Sequence, residues 1–187
     1  MRRLVDNKAE LLDNPWALLP KDCSLEDFKA ASADSLLAPL QLWLAHAEEL
    51  QASNKRVGVW LDSSETAAAV APLLDQVALV ALNFPAFMDG RAYSTAVNLR
   101  QHHDYSGEIR AIGDVLRDQL ILMRRCGFNS FELADSVKLE DARRAFGDFT
   151  DSYQSNIEVP QPLFRRVARA ASACYARAGS GHALAQE

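Results

Sequence analysis

A chain of 187 residues is long enough for one domain with a sizeable buried core, and its 49% apolar and 24% charged residues are those of an ordinary globular protein. The net charge of -5 disfavours nucleic acid and membrane surfaces as partners, because both recruit an excess of Lys and Arg. No run approaches the roughly 20 apolar residues that cross a bilayer, and Cys23, Cys126 and Cys174 are too scattered for a disulfide framework, a zinc ribbon or an iron–sulfur cluster.

Arg2 and Arg3 precede "LVDNKAELLDN", which carries charges where a secretion signal needs an apolar stretch, so a cytoplasmic location is expected. The apolar runs on either side of Asp6-Asn7-Lys8 suggest a small hairpin, although Asn-Lys is a weaker turn signal than Asn-Gly. In "SLLAPLQLWLAHAEELQAS", Leu36, Leu40, Trp43, Leu44 and Ala47 fall at helical spacing, with Pro39 suited to the first turn.

From residue 56 the pattern becomes regular. "VGVWL" (57–61) reads as a strand, and "DSSE" after it places Asp62 and Glu65 at the spacing of a capping box before the helix "TAAAVAPLLDQ". "VALVAL" (77–82) is apolar without alternation, as expected of a strand covered on both faces. The loop "NFPAFMDG" leads to the helix "RAYSTAVNLRQHH", then the strand "EIRAI", the helix "VLRDQLILMRRC", the strand "SFEL" and a helix at "KLEDARRAF". "TDSYQ" could add a fifth strand, and "PLFRRVARAASACYARA" reads as a last helix before a loose tail. The expected layout is one α/β domain: an N-terminal hairpin and helix at 1–54, a βα core at 55–155, and a C-terminal helix and tail at 156–187.

Strands alternating with helices imply a mostly parallel sheet joined by right-handed crossovers. A doubly wound, flavodoxin-like sheet with helices on both faces is the first arrangement to expect. Half of a (β/α) barrel, completed by oligomerisation, is the alternative.

In both arrangements ligands bind at the carboxyl ends of the strands. Asp62, Asn83, the "DGRAYS" stretch, Asp114 with Arg117 and Asp118, and Asp135 fall there in turn. The aspartates, Asp89 included, also suit helix N-caps, where a carboxylate accepts free amide bonds. Arg117 is the exception: in the first turn of a helix starting near Asp114, a cation opposes the helix dipole. Either a carboxylate such as Asp114 pairs with it, or it turns into the cleft beside Arg91, where two guanidiniums would hold a sulfate- or phosphate-like oxyanion. The candidate anion-binding residues are Asn83, Arg91, Tyr93, Ser94, Asp114, Arg117 and Asp118, with no catalytic residue assigned.

Cys126 sits just before Gly127 at a helix end, where the dipole disfavours a thiolate, so it reads as structural. Adjacent His102 and His103 point about 100° apart on a helix and do not make a metal pair. A hard metal on Asp62, Asp114 and Asp135 has only its oxygen ligands to recommend it, and no metal is assigned. No dinucleotide fingerprint, phosphate-binding loop or nucleophile elbow is present, so no cofactor is evident. Arg165, Arg166, Arg169 and Arg177 form either a solvated helix face or a docking face for an acidic partner.

"RVGVWLDSSE", "LNFPAFMDGRAYSTAVNLRQ", "GEIRAIGDVLRDQLILMRRCGFNSFEL" and "PLFRR" together resemble the bacterial family called domain of unknown function 934, over residues 56–166. Members are often labelled oxidoreductases of sulfite reduction, largely because their genes neighbour those of sulfite reductase. The resemblance implies a place in assimilatory sulfur metabolism, without a residue-level mechanism. Redox chemistry belongs mainly to a cofactor, so an accessory to sulfite reductase or its electron donor fits better than a self-contained redox enzyme. A homo-oligomer is compatible with this, and a small-anion binding module or enzyme is the alternative function.

Overall fold

A computed structural model of the chain describes residues 2–149 and 151–166. The first strand, β1 (Arg3–Asp6), turns back into β2 (Leu11–Leu12), antiparallel to it. Asp6 closes this hairpin: its Oδ1 accepts from the amides of Lys8 and Glu10, both at 2.8 Å. A carboxylate thus does the work that Asn-Gly would do by backbone conformation.

Next come β3 (Trp16–Leu18), α1 (Leu25–Ala30), β4 (Ser35–Pro39) and α2 (Leu40–Gln51). Leu36 therefore belongs to a strand, not to the helix that its spacing suggested. All five residues of β4 are buried between parallel neighbours on both sides, and Pro39 precedes the helix instead of lying within it. The regular part continues with β5 (Arg56–Leu61), α3 (Ala67–Val70), β6 (Val80–Phe84) and α4 (Arg91–Gln101). It ends with β7 (Ile109–Gly113), α5 (Leu120–Arg125), β8 (Ser130–Leu133) and α6 (Leu139–Gly147).

Residues 151–154 form no strand, which corrects the expectation for "TDSYQ"; Thr150 lies outside the described residues. Of the last expected helix, α7 (Leu163–Arg166) is seen; Arg169, Cys174 and Arg177 lie outside the described residues.

The sheet has eight strands in the order β2-β1-β8-β7-β6-β5-β4-β3. From β3 to β8 the strands are parallel and sequential, with no reversal of direction across the sheet. A doubly wound sheet needs that reversal; sequential order is the arrangement of the half (β/α) barrel. The fold is α/β, and its curled sheet takes this second form.

The two edges of the sheet are drawn together within one chain. Strands β2 and β3 run in the same direction and are joined only by Asp13, Asn14 and Pro15, a link reaching at most about 14 Å. The extended segment from Leu11 to Leu18 thus pairs first with β1 and then with β4. The short link keeps the two edges of the half barrel near each other, while β2 and β3 stay unpaired with one another.

Side chains alternate across the sheet. One row, with Val59, Val80, Leu82, Ala111 and Phe131, joins the helices in the main core. The concave row carries Leu37, Trp60, Leu79, Ala81 and Ile112, packed together with Trp16 against them. Arg110 and Ser130 lie buried in that row too.

Candidate functional site

The carboxyl ends of the parallel strands form a polar rim. Asp62 follows β5, two residues beyond the concave Trp60, and Asn83 continues the row of Leu79 and Ala81. Asn83 Nδ2 donates to Asp62 Oδ1 at 3.4 Å, and the Ser63 amide donates to the same oxygen at 2.9 Å. Lys21, in the loop after β3, closes on Asp62 Oδ2. The Lys21 bond holds the Asp62 carboxyl below the usual carboxylate range against the opposing effect of burial, and Asp62 raises the lysine in return.

Glu65 Oε2 accepts from the Asp62 amide at 2.8 Å, which is one half of the expected capping box. The other half is absent because the helix begins later, at Ala67, and the Asp62 carboxylate is turned to Lys21 and Asn83. Lys21 carries no motif, and only the proximity of a strand end could have flagged it.

Gly113 lets β6 and β7 approach at this rim. Its φ is +95°, and a Cβ there would lie 2.3 Å from the Phe84 carbonyl oxygen and 2.6 Å from Asn83 Oδ1. Its carbonyl accepts from Arg2 Nη1 at 2.9 Å, and that nitrogen also lies 3.7 Å from Glu132. Arg2 and Glu132 escaped sequence reasoning; the alternation Ser130–Glu132 was the available signal.

Arg91 starts α4 and turns toward the β5 end. Its Nε and Nη2 fork onto Asp89 at 2.9 and 2.7 Å, and Nη2 also donates to Ser63 Oγ at 2.8 Å. The fork, with Ser63, holds Asp89 well below the usual carboxylate range. Gly90, not Asp89, occupies the N-cap position, while Asp89 Oδ1 accepts from the Arg91 amide at 3.2 Å. Beside this group lies an open cleft of about 290 Å³ lined by Ser63, Ser64, Glu65, Thr66, Ala67, Arg91, Ser94, Thr95 and Asn98.

Tyr93 points elsewhere. Its ring meets Phe84 edge-on, with centroids 5.2 Å apart, and burial, helped by Cys126 and Asp118, pushes its hydroxyl up to about 12. Asp114 Oδ2 accepts from the Phe87 amide at 3.1 Å, so it ties down the β6–α4 loop and caps no helix. The segment after it forms a 3-10 turn, Arg117–Gln119, before α5; Gln119 Oε1 bonds the Leu116 amide at 2.9 Å. Arg117 thus precedes the α-helix, and its Nη2 pairs with Asp148 Oδ2 at 2.7 Å. Asp118 is exposed on the same turn. Asp135 is likewise no cap, because α6 starts at Leu139 behind Lys138.

The structure therefore brings together Arg91 and Ser94 with Ser63, and Asn83 with Asp62 and Lys21. It does not bring Arg91 and Arg117 together, since each guanidinium has its own carboxylate. Among the described residues no three His, Cys, Asp or Glu side chains form a metal-binding group. Cys126 ends α5 ahead of Gly127 (φ +102°), and burial pushes its thiol up. No described helix is long and apolar enough to cross a membrane.

The model of a family described as a bacterial protein of unknown function, DUF934, matches residues 58–164. No curated protein shows a significant sequence match to the chain.

Proposed function

We propose that this chain, which belongs to the bacterial family DUF934, is a cytoplasmic accessory protein of assimilatory sulfite reduction that docks on sulfite reductase or its electron donor. The observation that carries the reading is the family match, which takes in every rim segment from Gly58 to the start of the last helix. Family members bear a label in sulfite reduction, and redox chemistry of that kind is a cofactor's. The accessory works without a resident flavin, nicotinamide, haem or iron–sulfur group.

Growth of a deletion strain tests the pathway. Failure on sulfate with rescue by cysteine supports it, and wild-type growth on sulfate as sole sulfur source removes it. The absorption spectrum of freshly purified protein tests the second part, because a visible chromophore would make the chain a redox component in its own right.

The cleft at Arg91 favours a second reading, a small-oxyanion binding module. A guanidinium, which also forks onto Asp89, and five hydroxyl side chains face about 290 Å³ of open space at the strand-end rim beside Glu65 and Asn98, and charge-assisted bonds of this type suit sulfite, sulfate or a sugar phosphate. Calorimetry with these anions on wild type and Arg91→Ala decides it, equal heats for both proteins removing the idea.

A further inference from the structure

The loop after β6 makes a tight turn in which the Asp89 amide bonds the Ala86 carbonyl at 3.0 Å, leaving Phe87 and Met88 at its apex. Turn apices favour Gly, Asn, Asp, Pro and Ser, for reasons of backbone conformation and local hydrogen bonding. Here two large apolar side chains stand out instead, Phe87 46% and Met88 87% exposed, and Pro85 and Ala86 before them are exposed as well.

The turn is also held from below. Asp114 Oδ2 accepts from the Phe87 amide at 3.1 Å, and Gln119 Nε2 donates to the Phe87 carbonyl at 3.4 Å. Gln119 is 6% exposed, so a buried amide side chain fixes the backbone of a largely exposed apolar tip. A tip ordered before contact loses little entropy on binding, which is the property of a preorganised anchor.

We infer that the Phe87–Met88 turn is the docking knob of this protein, entering an apolar pocket ringed by Lys or Arg on a partner protein. This rests on the accessory role proposed above and names the surface that serves it. The charge of the partner follows from the ring around the knob. Arg91 beside the tip is neutralised by Asp89, and Arg117 on the next turn by Asp148, which among the described residues leaves Asp114, bonded to the Phe87 amide, and exposed Asp118 next to Gln119 as the charges around it without an ion-pair partner. A second copy meeting this face across a two-fold axis would set these carboxylates against each other. An anionic lipid surface would be repelled by the same groups and by the net charge of -5.

Purified sulfite reductase from the same host is the probe, captured by full-length wild type, Met88→Ser and Phe87→Ser/Met88→Ser in a label-free binding assay. The expected result is at least about tenfold weaker binding by the double variant, the loss typical of a central anchor. Wild-type binding should weaken as salt rises, and melting temperatures should match. Met88→Ser, altering the most exposed of these side chains, guards against a folding defect and should by itself weaken binding. Equal binding by all three proteins overturns the knob and leaves the accessory role standing. No binding by wild type to the reductase or, in a parallel arm, to its purified electron donor removes that role and the knob with it. Wild-type dimers that dissociate in the double variant, or wild type sedimenting with anionic vesicles of phosphatidylserine, overturn the inference in favour of another occupant.

Discussion

Arg117 Nη2 closes on Asp148 Oδ2 at 2.7 Å, pinning the turn before α5 to the residue that ends α6, 31 positions further on. This pair explains how the chain tolerates a cation at a helix approach. The guanidinium sits ahead of the helix, on a 3-10 turn, and a carboxylate from another element neutralises it. Both side chains are about two-fifths exposed, so water and salt screen the attraction. Arg117→Ala should therefore destabilise the protein by no more than about 1 kcal/mol, as exposed ion pairs do. Urea midpoints for Arg117→Ala, Asp148→Ala and the double variant give the coupling directly. A coupling above about 2 kcal/mol would contradict an exposed pair.

Gly113 makes a sharper demand. Adding a Cβ at φ +95° strains the backbone by about 1–2 kcal/mol. It also meets the Phe84 carbonyl oxygen, a backbone atom of the neighbouring strand, at 2.3 Å. Gly113→Ala should then lose about 3 kcal/mol or more, the range of strain at a special backbone position combined with a clash. Gly127→Ala carries the same kind of backbone strain, but its nearest contact is Arg100 Cγ at 2.6 Å, part of a flexible side chain. It should cost less. Thermal unfolding of the two variants ranks them, and equal losses would mean that the β6–β7 contact yields easily.

These residues also show what could be read in advance. Strands β5, β7 and β8 were legible because short apolar runs between helix-length stretches leave little choice. The strand at Leu36 was not, since Leu36 and Leu40 are four apart whether the chain is helical or extended. Only pairing on both sides makes β4 a strand. The rim positions of Asn83, Arg91 and Ser94 could be read because strand-end position is local information. Lys21 meets Asp62 across 41 residues and Arg2 meets Gly113 across 111, and no spacing rule reaches that far. The bridging of the sheet edges by Asp13–Pro15 was hidden for the same reason.

The rim carboxylates give the acid limit of stability. Asp62 is held low chiefly by the bond from Lys21, and Asp89 chiefly by the fork from Arg91. Each folded pKa lies below the unfolded value of about 3.9. Their contribution is thus fully present above about pH 5 and is lost as the pH falls below about 4 toward the folded values. Burial raises the thiol of Cys126 and the hydroxyl of Tyr93, which works in the opposite direction. Their contribution is present below the unfolded pKa values, about 8.5 and 10, and declines as the pH climbs past them. Urea midpoints should form a plateau from about pH 5 to 8, falling on both sides. Asp89→Asn should lower the plateau and flatten the acid limb. An acid limb of unchanged slope would show that Asp89 gains nothing from Arg91.

The concave side holds a test of how the curled sheet is kept shut. The Arg110 side chain is 3% exposed, with Nε and Nη2 on Glu108 Oε1 at 2.9 and 2.7 Å. Ser130 Oγ donates to the same oxygen at 2.6 Å, and Arg110 Nη1 donates to Asn14 Oδ1 at 3.0 Å. Asn14 belongs to the three-residue link between the sheet edges, so the buried cation ties that link to β7. Removing Glu108 alone leaves the guanidinium buried without its counter-charge, a loss of about 3 kcal/mol or more. Glu108→Ala should reach that figure, whereas Glu108→Leu/Arg110→Met removes the charges together and should recover most of the stability. Asn14→Ala should cost about 1.5–3 kcal/mol, since it removes the bond to a charged group along with the longer bonds to the Trp16 amide and Glu132, and speed hydrogen exchange in β2 and β3 ahead of the other strands. Thermal melts read the first comparison and amide exchange the second. If Glu108→Ala melts like wild type, water reaches Arg110 and the network is no latch; if exchange in β2 and β3 stays unchanged in Asn14→Ala, the edges hold together through their backbone pairing alone.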